Sequence, residues 1–397
     1  MIRAHIVGLT PVVLLVAMPI AAQERESPVQ SLIDRTGKTL VSILSRPLHP
    51  FVGGVAPGGG AGAGLAYDAP LTGRWNASAK AGYTLKEYWR ADLVVDYNDN
   101  RTQFIAYART RDMKSLEYFG PGEASRLADR SNFRLRDPVV GAQGSLRVTP
   151  WLALGARAEQ LWPDVSQGLS TSLPSIEQRF DDTDAPGLTA QPHFGRYDGS
   201  IDIDFSAGAG EALYQGGKFR ATYALFVDQE LERFSFHRID LEAQQRFALL
   251  GPFRRLTLHG WVSTSTPKDG HEVPFYLQRT LGSHGRIASV NEYLIGSDGT
   301  QATLRGFRAY RFRDRHLVLL QAEYRIPIWG PIDATLFADA GKVTPRRSDL
   351  DLSGLRRDYG VSLSVMRGPA TAVRVDVAFG GGEGTRLLLT FGRSLLQ

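Results

Sequence analysis

Four groupings of residues in this 397-residue chain have types and spacing that could do chemistry. His193, His237, His259 and His316, with serine and aspartate elsewhere, supply the side chains of a hydrolytic triad. A triad also needs a nucleophile elbow, and a metal hydrolase needs ligand spacing; neither pattern occurs, so no catalytic residue and no enzyme activity are expected. Asp202 with Asp204, and Asp240 with Glu242, are carboxylates two positions apart. That spacing puts each pair on one face of a strand, where a polar lumen explains them more simply than calcium does. The run "VAPGGGAGAG" (55–64) has the glycine density of a phosphate loop, but no Lys-Ser/Thr follows it and no strand–helix context surrounds it. It reads as a flexible turn, and no cofactor or metal site is expected. The last grouping joins "TLRGFRAYRFRDRH" to "ATLFADAG" about thirty residues later. Five arginines and one aspartate lie between Leu304 and Arg315, and a guanidinium is a planar fork of donors that fits a carboxylate. Whether Asp339 needs such a partner depends on the element that carries it.

That element alternates. In "IDATLFADAG", Ile332, Ala334, Leu336, Ala338 and Ala340 share one face, while Asp333, Thr335, Phe337 and Asp339 share the other. In the strand before it, Val318, Leu320, Ala322, Tyr324 and Ile326 oppose Gln321, Glu323 and Arg325. "WRADLVVDY" (89–97), "SIDIDFS" (200–206), "RIDLEAQQR" (238–246) and "TAVRVDVAF" (371–379) repeat the pattern; in the last, Arg374 and Asp376 stand against Val373, Val375 and Val377. A soluble sandwich would turn the apolar face inward, whereas a transmembrane barrel turns it to lipid and the charges to the lumen. Aromatic residues at strand ends (Trp89, Tyr97, Tyr324, Trp329, Tyr359) suit an interfacial girdle. Tight turns such as "TPW", "LLGP", "IWGP" and "MRGP" alternate with long connections at 113–130, 164–193 and 267–316. In a bilayer, unpaired backbone groups make closure compulsory. The sequence therefore predicts an all-β transmembrane antiparallel barrel of about sixteen strands over 49–397. The strands are expected near 50–56, 60–68, 74–84, 86–97, 102–112, 131–148, 151–162, 197–208, 218–230, 236–248, 254–265, 317–327, 331–341, 357–367, 371–380 and 385–395.

Composition agrees with this. There are 42 glycines, and Trp, Tyr and Phe number 6, 14 and 19, which suits twisted strands and tight turns. Cysteine is absent, which excludes disulfides, thiolate metal sites and a cysteine nucleophile. A net charge of +5 without a separate basic block gives no nucleic-acid footprint. At the N-terminus, Arg3 and His5 precede the apolar "IVGLTPVVLLVAMPI" and a small-residue site after Ala22. This run is short for a membrane anchor and reads as a cleaved export signal, 1–22. Residues 23–48 follow as a periplasmic segment with a short amphipathic helix.

Several motifs resemble the bacterial surface antigen superfamily, the BamA/TamA-type outer-membrane assembly and secretion barrels. They are "VPFYLQRTLG" (273–282), "LRGF" (304–307), "AEYRIPI" (322–328), "FADAGKV" (337–343), "DYGVSLSVMRGPATAVRVDVAFG" (358–380) and "LLLTFG" (387–392), with "SLEYFGPGEASRLADRSNFRLRD" (115–137) as a further, looser match. The resemblance is clearest over 270–397. It implies a sixteen-strand barrel whose long sixth outer loop folds into the lumen, and a lock between Arg305-Gly306-Phe307 at the loop tip and Phe337, Asp339 and Gly341 on the wall. Glu323, Arg325, Arg374 and Asp376 are secondary lumen candidates. The chain departs from the pattern in leaving no room for a POTRA domain before the first strand, in carrying Gly282-Ser283 where a Gly-Gly is usual, and in placing Leu395 where a terminal aromatic is typical.

The resemblance implies a role in handling a membrane protein or lipid, or in secreting a partner; a passive or gated outer-membrane pore is the alternative. Expected partners are outer-membrane lipid and lipopolysaccharide, the barrel-assembly machinery during biogenesis, and an unidentified protein substrate.

Overall fold

The computed structural model describes residues 47–52, 54–55, 59–205, 216–250, 254–282, 303–367 and 370–391. The export signal and nearly all of the 23–48 segment lie outside the described residues, as does 283–302 of the long loop.

The first strands are β1 (Leu48–Val52), β2 (Gly62–Pro70), β3 (Trp75–Thr84), β4 (Trp89–Asn98) and β5 (Thr102–Tyr118). Next come β6 (Ser131–Arg136), β7 (Val139–Thr149), β8 (Leu152–Leu161), β9 (Asp164–Gln167), β10 (Phe194–Asp204), β11 (Gly216–Asp228), β12 (Phe236–Ala248) and β13 (Arg255–Pro267). The short β14 (Arg279–Leu281) and β15 (Phe312–Asp314) pair with each other as a separate two-stranded sheet. The C-terminal group is β16 (His316–Trp329), β17 (Ile332–Thr344), β18 (Arg356–Arg367), β19 (Ala370–Gly380) and β20 (Gly384–Phe391).

Sixteen of these form one antiparallel meander. The order is β1-β2-β3-β4-β5-β7-β8-β10-β11-β12-β13-β16-β17-β18-β19-β20, each hydrogen-bonded to the next. This is the expected barrel topology, with an even strand count and both ends of the meander on the short-turn side. Among the described residues, no ladder joins β1 to β20.

Three boundaries differ from the sequence reading. The expected strand 131–148 is two strands, β6 and β7, broken at Asp137-Pro138, where proline removes a ladder donor and restricts the residue before it. β5 runs on past the wall to Tyr118 through a register shift between Met113 and Leu116, and this extension carries β6, which in turn pairs β9. The first strand ends at Val52, short of the expected 56.

Alternation decides the two faces. Along β17, Leu336 is 52% exposed, while Asp333, Thr335, Phe337 and Asp339 are buried. The outer face of the meander exposes many large apolar residues, Leu93, Tyr223, Leu241, Leu363 and Leu389 among them. Trp75, Trp151 and Trp329 mark the short-turn rim, and Tyr83, Trp89 and Tyr359 the long-loop rim. A soluble protein would bury such a belt; in lipid it is the solvent-matched surface.

The long-loop end is closed by a packed cluster rather than left open. Met113, Leu116, Tyr118, Phe133, Ile176, Phe226, Phe275 and Tyr276 all belong to it, with edge-on contacts Tyr118–Phe275 at 5.2 Å and Phe133–Phe275 at 5.0 Å. The glycines of "FGPGE" make this possible: Gly120 and Gly122 adopt φ of 95° and 76°, and Gly122 bridges to Arg313 of the inner loop.

Candidate functional site

Residues 273–282 and most of 303–314 of the long loop are buried inside the barrel. β14 and β15 form its stem, and the turn after Thr303 forms its tip, with Thr303, Leu304, Arg305 and Phe307 all essentially inaccessible. The chain reverses tightly there: the Phe307 N–H donates to Leu304 O at 3.1 Å, and Leu304 is held at φ 28°, a conformation a bulky residue adopts only under constraint.

The constraint is Arg305. Its Nε and Nη2 donate to the two oxygens of Asp339 at 2.8 and 2.6 Å, and its backbone N–H adds 3.3 Å to the same carboxylate. Its Nη1 donates to Glu323. The guanidinium lies 3.6 Å over the Phe337 ring, so Phe337 supplies a π face on one side of the ion pair. Glu323 and Asp339 sit on adjacent strands, β16 and β17, two residues apart in register, which matches the two edges of one guanidinium.

The glycines at the site are there for close approach. A Cβ on Gly306 would lie 2.6 Å from both the Asp358 Cβ and the Gly380 Cα, so only glycine lets the loop tip touch the wall. On Gly341 a Cβ would meet Val318 O at 2.8 Å and the Leu281 side chain at 3.1 Å, which would displace the stem. Phe307 packs against Phe312 at 5.3 Å, over Gly381.

The structure places Arg305, Gly306 and Phe307 at the loop tip against the wall that carries Phe337 and Asp339, sets Gly341 beside the stem, and brings three of the four secondary candidates into the Arg305 network. Arg374 donates Nη2 to Glu323 at 2.9 Å and to Ser362 Oγ at 2.8 Å, and its Nε to Asp376 at 2.8 Å. Asp376 lies 3.9 Å from Arg305 Nη1. Arg325 is apart from this network: it points inward as expected but pairs with Asp333 near the short turn.

Four participants were not expected as members of the lock. Gln321 Nε2 donates to Asp339 at 3.1 Å, and Ser362 Oγ donates to Asp376 at 2.6 Å. His259 bridges Gln321 and Glu242 at 2.9 and 2.8 Å. Asp358 stands across from Asp339 in register, buried, with neither oxygen hydrogen-bonded among the described residues. Neutral or isolated polar residues inside an alternating strand look like any other lumen position.

The stem has its own ties. Arg279 Nη2 donates to Asp240 at 2.8 Å and lies 5.2 Å over Trp261, whose indole N–H donates to the same carboxylate at 3.2 Å. Arg313 donates to Phe275 O at 2.5 Å. Thus Asp240 and Glu242, two carboxylates of one strand face, serve different partners: Arg279 and His259. The other histidines are dispersed, with His193 on Glu230 at 2.9 Å and His237 stacked on Tyr223.

A sixteen-strand barrel with a loop salt-bridged into its lumen defines the class: a transmembrane β-barrel with an internal plug. Two solved structures share the fold. BamA from Haemophilus ducreyi lacking POTRA domains 1–3 superposes with TM-score 0.52 at 13% identity, over 86% of this chain and 68% of that one. CdiB from Escherichia coli gives TM-score 0.56 at 11% identity, over 87% of this chain and 62% of that one. No family model matches the chain, and no curated protein matches it in sequence. The chain therefore shares its barrel fold with BamA and CdiB.

Proposed function

We propose that the chain is a plugged outer-membrane barrel that handles a membrane protein or lipid, or secretes a partner, as the resemblance to BamA/TamA-type barrels suggests. It acts without chemistry of its own. The supporting observation is Arg305, a fully buried guanidinium on a loop, shared by carboxylates from two wall strands. A passive pore gains nothing from a lumen stoppered by charge, because each ion of the stopper costs desolvation energy. A plug held by a geometrically specific latch suits a barrel whose interior must open on demand.

The second reading, a passive or gated outer-membrane pore, draws on a polar recess in the wall. It is lined by Gln103, Gln143, Ser145, Arg157, Ser200 and Arg220, polar side chains of the kind that a water-filled lumen presents. Single-channel recording in planar bilayers separates the plugged handling barrel from a passive pore. A plugged handling barrel conducts little as wild type and gains conductance in Arg305→Ala. Steady large conductance that Arg305→Ala leaves unchanged would favour the simple pore.

A further inference from the structure

The latch does not stop at Asp339. A hydrogen-bonded chain runs across four neighbouring strands: Asp339 on β17, Gln321 on β16, His259 on β13, and Glu242 on β12. Asp339, Gln321 and His259 are each more than nine-tenths buried, whereas the Glu242 side chain keeps 25% of its surface open to the lumen. The chain thus connects the plug to a group that the lumen's contents can touch.

Donor and acceptor counting fixes its protons. Asp339 already accepts from Arg305, so it is a carboxylate and Gln321 must offer it the amide NH2. That orientation turns Gln321 Oε1 toward His259 Nδ1, which must then carry a hydrogen. His259 Nε2 faces Glu242 Oε1, and one further proton lies between them. The imidazole therefore serves two acceptors at once, and a neutral ring has a single N–H. Once that second proton is lost, the carboxylate of Glu242 is the stronger acceptor and claims the remaining hydrogen. Nδ1 then turns a lone pair to Gln321 Oε1, and the link to Asp339 breaks.

We infer that His259 is a positioning residue of the latch: protonated on both nitrogens, it holds Gln321 in the orientation that keeps Asp339 aimed at Arg305. The inference rests on the latched-plug reading. The charged groups facing this chain are Arg305, Asp358 and Glu323 near Asp339, and Arg220, which is in register with Glu242.

Because the chain has no native cysteine, one introduced thiol reports on the plug. Ala309, buried beside the tip, is the position: Ala309→Cys in native membranes, labelled with a maleimide. Rates are divided at each pH by that of the same cysteine in the Arg305→Ala background, which removes thiol ionisation. An asparagine amide reaches as far as the Nδ1 position and a glutamine amide as far as Nε2. His259→Asn therefore keeps the donor to Gln321, and His259→Gln keeps only the contact with Glu242.

The expected result is that His259→Gln labels about tenfold faster than wild type at pH 6, the factor given by one hydrogen bond of ordinary net strength, while His259→Asn stays near wild type. As pH rises from 6 to 9, wild type should approach the His259→Gln rate, and His259→Asn should not. Equal rates for the two variants, or parallel pH profiles for wild type and His259→Asn, overturn the inference. If Arg305→Ala itself fails to raise labelling, it is the latched-plug reading that falls.

Discussion

Removing the Arg305 guanidinium is the most direct perturbation of the plug. In Arg305→Ala, Asp339 loses two charge-assisted bonds of 2.8 and 2.6 Å and retains Gln321; Glu323 loses one and retains Arg374. Asp339 is thus the carboxylate left uncompensated, inside a wall where it is 2% exposed. Breaking a buried pair by removing one partner costs about 3–5 kcal/mol, largely from the stranded charge. If the seated plug bears about 3 kcal/mol of this, its opening equilibrium shifts by about two orders of magnitude. Arg305→Lys keeps the charge but not the fork, so it should fall between wild type and alanine. The double variant Arg305→Ala/Asp339→Ala removes both charges and should recover part of the loss, the signature of direct coupling. The assay is protease accessibility of the loop in intact membranes, with the Ala309→Cys reporter as a second readout. Unchanged protection in both Arg305→Ala and Asp339→Ala would refute the latch, and so would additive effects in the double variant.

Gly306→Ala should unseat the plug as fully as Arg305→Ala, because its Cβ has no room between Asp358 and Gly380; equal protease protection to wild type would count against the packing. Leu336→Arg on the outer face of β17 should cost about 2–4 kcal/mol at mid-membrane depth, read as a lower yield of heat-resistant folded barrel on gels. Asp240→Asn should loosen the stem by removing the charge that Arg279 and Trp261 share, raising proteolysis near Arg279 with the tip still latched. In the 164–193 loop, burial pushes the Asp182 carboxyl up, but Thr189 and the N–H groups of Leu188 and Thr189 together hold it below its ordinary range. A depressed carboxyl stabilises the loop above its unfolded value and loses that contribution as pH falls through the lowered one. Amide exchange at Leu188 and Thr189 should therefore quicken, beyond its intrinsic trend, below about pH 4.

The barrel was legible because lipid and lumen impose a period of two on every wall strand. The inward assignment of Asp333, Thr335, Phe337 and Asp339 followed from alternation alone, and so did that of Gln321, Glu323 and Arg325. Pairing was not legible at the same level. Arg325 and Glu323 share a face two residues apart, yet Arg325 lies close enough to the short turn for Asp333 to claim it. The β5 extension was hidden because the bulge between Met113 and Leu116 breaks the alternation and because β6 is held above the wall, where no lipid face exists. His259 was visible as a residue but not as a link, since its partners come from β12 and β16, 17 and 62 positions away in sequence.

The direction of the latch along the chain bears on how the barrel matures. Every wall group that Arg305 or Gly306 touches lies C-terminal to it: Glu323, Asp339, Asp358, Asp376 and Gly380. An ordering step that needs β16, β17, β18 and β19 side by side cannot precede their pairing. A chain stalled before its last strands holds an uncompensated guanidinium and an unseated loop, open to proteases that the finished barrel excludes. The ion pair thus doubles as a completion mark, distinguishing a finished wall from an unfinished one by a single buried charge.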